Sequence, residues 1–234
     1  MQSYTALHQF FQQAELRKLL LGGSGDNTAI DLSREESVAL LSAWMEQCKN
    51  VGGVDPSPES GDVVCRVNTG GMNFAGLSVQ SDAMIGTKLI LPAEATPSPS
   101  SPEYQLVFIK DRKNVTGPRL LVWIFNKLTG DGNENEDENE GEDREQAVTS
   151  LARFYAKISS DDDDESKSVV FTIETSLDIA VKFPSLLLKI LPVSKEKAEM
   201  EGSASVVKTL VKDTNASLQR IVESYVEMSN LVQS

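Results

Sequence analysis

The sequence predicts an α+β domain: a curled antiparallel sheet wrapped on one long C-terminal helix. Three observations predict it. Val169, Phe171, Ile173, Thr175, Leu177, Ile179 and Val181 alternate with mainly polar neighbours, the period of a half-buried strand. From about Ser203 to Ser229, Val207, Leu210, Val211, Leu218, Ile221, Val222, Tyr225 and Met228 recur at three- and four-residue steps. Lys208, Lys212, Asp213, Gln219, Arg220 and Glu223 fill the other face of that amphipathic helix. Ahead of both lies a run of β-rich segments with no internal repeat. One helix packed on an antiparallel sheet is an α+β arrangement, and 234 residues are enough to bury a sizeable core.

The elements follow in order. Tyr4, Leu7, Phe11, Ala14 and Leu19 fall at helical spacing and predict a short amphipathic helix ended by Gly22-Gly23. The segment lacks the basic start, apolar block and cleavage site of a signal peptide. Residues 28–32 read as a strand. Ser33, with Glu36 three residues on, forms a capping box for a helix carrying Val38, Leu40, Leu41, Trp44 and Met45 and ending near Asn50. Val63–Val67, Met72–Val79 and Ala83–Leu91 read as strands, broken at Gly70-Gly71 and Ser81-Asp82. A Pro/Ser-rich connection spans 92–102. Tyr104–Lys110 and Arg119–Leu128 read as a hairpin around Gly117-Pro118, the second arm being apolar enough to sit centrally in the sheet. Ala147–Ser159 reads as a strand, with helix competing for its first half.

The charge is unevenly placed. Asp131–Glu145 holds nine acids and one arginine, and Asp161–Glu165 holds five acids. Together they account for the whole net charge of −13, so the rest of the chain is neutral. Neither segment has apolar residues with which to pack, so both read as solvated insertions, at 130–146 and 160–166. The domain reading is therefore an N-terminal helical extension over 1–26, a single domain over 27–229, and a tail over 230–234.

The sequence offers little chemistry. One histidine, His8, and two cysteines, Cys48 and Cys65, cannot by themselves build a metal cluster. Both cysteines read as small buried hydrophobes. There is no GxSxG, no phosphate loop and no GxGxxG. The DDDDE run lacks the alternating ligands and glycine of a calcium loop. Lys110, Arg112, Lys113 and Arg119 form one small basic turn without interleaved aromatics, which gives no basis for nucleic-acid binding. No catalytic residue, metal or cofactor is expected.

The C-terminal segment carries a resemblance. Pro184, Leu187, Leu188, Pro192, Glu201, Gly202, Ser203 and Tyr225 stand in the order of a proline, an apolar run, a second proline, an acidic-Gly-Ser step and a helix with a late tyrosine. With the strand and helix order, this resembles the helix-grip superfamily of START and birch-pollen-allergen-like domains, and within it an uncharacterised cyanobacterial and plastid branch. Met72–Leu91 and Glu36–Trp44 also look like that branch, whereas its tryptophan just after the tyrosine is absent here.

The resemblance implies a cavity between sheet and helix and, by its branch alone, a plastid address. Trp123, Phe125, Phe171, Ile173, Thr175, Val207, Val211 and Tyr225 are its candidate lining. The expected function is a non-catalytic domain holding a lipid, isoprenoid or pigment. The alternatives are an assembly subunit with a filled core, touching partners through the N-terminal helix or acidic loops, and a cyclase-like enzyme needing polar groups such as Thr175 or Tyr225 inside.

Overall fold

The computed structural model describes residues 2–22, 29–31, 38–57, 59, 62–74, 77–91, 101–120, 122–123, 148–160, 167–179 and 195–233. The chain runs α1 (Gln2–Phe11), α2 (Ala14–Leu20), β1 (Ala29–Asp31), α3 (Val38–Val51), β2 (Val63–Phe74), β3 (Leu77–Ile90), β4 (Glu103–Thr116), β5 (Val148–Ser160), β6 (Lys167–Ile179) and α4 (Lys195–Gln233). It is a mixed α+β fold. The six strands form one antiparallel sheet in sequence order, β1 to β6.

Helices cover both faces of the sheet. On one face α1, α2 and α4 meet Val63, Cys65, Val67, Tyr104, Leu106, Phe154 and Ala156. On the other, Trp44 and Cys48 of α3 meet Val64, Val107 and Ile109. The alternation of strand side chains delivers this division: Val63 and Cys65 point one way, Val64 the other. Cys48 and Cys65 are both buried and unbridged, and they lie in the cores on opposite faces of the sheet.

Five sequence expectations are corrected. The N-terminal segment is two helices with a break at Gln12-Gln13, not one, and it is integral to the core: Leu7, Phe10, Phe11 and Leu16 are all buried. Phe10 and Phe11, adjacent at the end of α1, are both fully buried. Gly70-Gly71 does not end a strand; a register shift between Thr69 and Met72 absorbs it inside β2. Ser81-Asp82 lies inside β3, paired with Lys113 and Arg112, and the chain instead reverses between Phe74 and Leu77. β4 runs on to Thr116. Lastly, residues 119–120 and 122–123 are helical, not a central strand. Gly117 takes φ 152°, Pro118 supplies a preset φ for a helical first turn, and the Val122 N–H donates to the Pro118 carbonyl at 3.0 Å.

The two elements that anchored the sequence reading are present. β6 covers most of the expected strand, and α4 extends the expected helix at both ends to 39 residues, about 58 Å at 1.5 Å per residue. Ser33, Glu36, the 92–100 connection, both acidic insertions and Pro184–Pro192 lie outside the described residues.

Candidate functional site

Three places invite a functional reading. The first is the space between the sheet and α4, where a ligand was expected. An aromatic cluster occupies it. Phe11 stacks on Phe154 with ring centroids 5.1 Å apart, and Phe154 stacks on Phe171 at 5.7 Å. Tyr225 of α4 meets Phe171 at 5.3 Å and Phe10 at 5.2 Å, both edge-on. Offset-stacked and edge-to-face pairs each add about 0.5–1.5 kcal/mol beyond area burial. The Tyr104 hydroxyl donates to the Phe11 carbonyl at 2.9 Å, satisfying one of the acceptors left open at the end of α1. Burial raises the Tyr104 phenol above its usual range. Ile221 closes the cluster from α4, wholly buried.

The candidate lining residues scatter. Phe171, Ile173 and Tyr225 come together, packed against this core. Thr175 is exposed, although its register partner Ala152 packs against the core. Val207 and Val211 are 57% and 54% exposed on α4. Trp123 is 57% exposed, at an open hollow of about 480 Å³ lined by Val115, Thr116, Gly117, Arg119, Val122 and Trp123. Phe125 lies outside the described residues.

The second place is a polar row on the α3 face, which sequence reasoning missed. Lys88, 2% exposed, puts its ammonium 2.9 Å from the Ser57 carbonyl, 3.4 Å from Asp62 Oδ2 and 3.5 Å from Glu59 Oε1. Asp62 also accepts from the Glu59 N–H at 2.9 Å. Burial, the larger effect, pushes the Asp62 carboxyl up despite these partners. Next across the sheet stand Gln105 and Arg153, in register. Arg153 Nη2 donates to the Gly53 carbonyl at 3.2 Å, and its Nε lies 3.7 Å from Glu103 Oε1. Gly53 takes φ 69°, and a Cβ there would come within 2.9 Å of Arg153 Nη2. Lys88 and Arg153 thus pin the 52–62 segment to the sheet. The chemistry is that of a latch, with the three ammonium protons of Lys88 matched by three acceptors. A lone lysine within the apolar stretch Ile85–Leu91 was the available sequence signal.

The third place is α4 itself. Met200, Ala204, Val207, Val211, Thr214, Leu218, Ile221, Tyr225 and Met228 follow alternating four- and three-residue steps, one continuous stripe along the helix. The C-terminal half of the stripe is seated. Leu218, Tyr225 and Met228 pack against the core around Ile221, and Met228 Sδ accepts from Gln13 Nε2 at 3.0 Å. The N-terminal half is bare: Met200 is 67% exposed, and Ala204, Val207 and Val211 are exposed as well.

Among the described residues, no group of three or more His, Cys, Asp or Glu side chains is placed to hold a metal ion. Among them, too, no helix is long and apolar enough to cross a membrane. No protein-family model, no curated protein and no solved structure matches the chain.

Proposed function

We propose that the protein is a non-catalytic interaction subunit whose docking surface is the N-terminal half of α4. The bare half of the α4 stripe carries this reading. It continues the seam that the C-terminal half already uses, and leaving Met200, Val207 and Val211 in water forgoes the transfer free energy their burial would release. The aromatic filling of the sheet–helix space supports an assembly role over a ligand carrier. The three acceptors around the buried Lys88 ammonium support the non-catalytic side. The seated apolar faces of α1 and α2 leave α4 as the better contact surface than the N-terminal segment. The order of sheet, then long C-terminal helix packed beside an inward tyrosine, supports a helix-grip relationship. The covering of the second face by α3 gives the sheet a second packed layer.

The test is quantitative affinity capture from the native host, comparing wild type with the Val207→Asp/Val211→Asp variant. The proposal expects at least one stoichiometric partner with wild type and its loss with the variant at unchanged melting temperature. Equal recovery by both proteins would remove α4 from the interface. Co-purification of wild type with one tightly held lipid or pigment, and with no protein, would restore the carrier reading.

A further inference from the structure

The edges of the sheet are unlike. β1 pairs with β2 only over Val63–Cys65, and beyond it β2 carries a register shift between Thr69 and Met72. β5 pairs with β4 only over Glu103–Val107, and beyond it β4 carries a register shift between Phe108 and Lys110, then Lys110 and Asp111 themselves. Bulges and charges are devices that stop an open edge from recruiting another strand.

β6 ends the sheet and has few of them. It pairs with β5 over its whole length, Lys167–Ile179, without a register shift. Among the described residues no strand pairs with its other side. Over 168–178 it holds no lysine, arginine, proline or glycine. The N–H and C=O groups on that side form a long open ladder, whose chemical complement is another extended strand.

The strand is its own complement. Directly opposite residues of an antiparallel pair lie on the same face. Two copies of β6 set about a two-fold axis at Ile173 pair over the full strand and keep both faces continuous. On the core face Val169 then meets Leu177 of the second copy, and Phe171 meets the exposed Thr175. On the other face each carboxylate meets a hydroxyl: Asp178 stands opposite Ser168, and Glu174 opposite Thr172. Glu174 already accepts from the Tyr155 hydroxyl and has lone pairs to spare. An axis moved to Thr172 sets Glu174 against Val170, and one moved to Glu174 sets the two carboxylates against each other.

We propose that β6 pairs with β6 of a second copy of this chain, antiparallel about Ile173, joining two six-stranded sheets into one. The contact is isologous, so it uses up both β6 edges and closes at two copies. The proposal does not rest on the α4 reading.

Sedimentation velocity on the full chain, across a concentration series reaching hundreds of micromolar, tests it. The expected result is a reversible equilibrium between a 25.5 kDa species and one of twice that mass. Ser168 and Asp178 are both exposed, so substitutions there probe the register without entering the core. Ser168→Asp sets two like-charge pairs across the axis and should weaken the dimer by roughly three- to tenfold. Ser168→Lys should tighten it by a similar factor, and Ser168→Asp/Asp178→Lys should restore it, all at unchanged melting temperature. A monomer throughout the series overturns the proposal, as does a dimer that these variants leave unchanged. A dimer lost in Val207→Asp/Val211→Asp but not in Ser168→Asp would place the contact on α4 and overturn it likewise.

Discussion

The two halves of α4 follow one sequence rule and meet two fates. Leu218, Ile221, Tyr225 and Met228 sit in the core, while Met200, Ala204, Val207 and Val211, on the same stripe, sit in water. Spacing decides which side chains share a face. It does not decide what that face rests on. For the C-terminal half, α1, α2 and β6 supply the surface. Along the N-terminal half, Met200, Val207 and Val211 stay more than half exposed among the described residues. Fully burying a valine side chain is worth about 1.5–3 kcal/mol, so a partner that covers Val207 and Val211 gains affinity from a helix already formed.

That contrast can be broken or sharpened by substitution. The largest effect belongs to the seated side. Phe154 is wholly buried between Phe11 and Phe171, so Phe154→Ala should cost about 3–5 kcal/mol, read as a lower urea midpoint. Next comes the latch on the opposite face. Asp62→Ala leaves the Lys88 ammonium buried without its carboxylate and should cost about 3 kcal/mol, measured the same way. A loss below about 1 kcal/mol would mean that Glu59 and Ser57 suffice.

A smaller effect is pH-dependent. Burial pushes the Cys48 thiol from its ordinary 9.0 up to about 12. The folded thiol therefore holds its proton where the unfolded one has lost it. The stability linked to Cys48 is fully present below pH 9 and is lost as pH rises from 9 towards 12, by up to ~1.4 kcal/mol per pH unit. Cys48→Ala should flatten that decline in pH-resolved denaturation. Native protein at pH 8 should also resist thiol alkylation, because neither cysteine is accessible. The smallest effect belongs to the bare half. Val207→Ala and Val211→Ala should each change stability by no more than about 0.5 kcal/mol. A loss comparable to that of Phe154→Ala would mean that these side chains are seated within the fold.

The same contrast explains what the sequence could say. β6 and α4 were legible because an alternating strand and an amphipathic helix each write their period over many residues. The apolar run from Leu120 onward was misleading, since a short continuous run looks alike in a buried strand and a helix; Pro118 was the discriminating signal. Gly70-Gly71 looked like a break, but a bulge accommodates it. The candidate pocket split because spacing placed Val207, Val211 and Tyr225 on one face, whereas only the tertiary packing tells where the sheet ends beneath that face. Phe10, Phe11 and Phe154 were missed as the filling, because contacts between α1 and β5 leave no local pattern. Asp62 and Lys88, 26 residues apart, were missed for the same reason.

The most direct test of the central claim is hydrogen exchange on the protein alone and in complex with its captured partner. In the free protein, amides over 195–214 should exchange faster than those over 216–230, since only the latter are held by the core. In the complex, protection should rise over 195–214 and stay level elsewhere on the helix. Unchanged exchange over 195–214, with the gain in protection falling on β5, β6 or α1 around the aromatic cluster, would contradict the account.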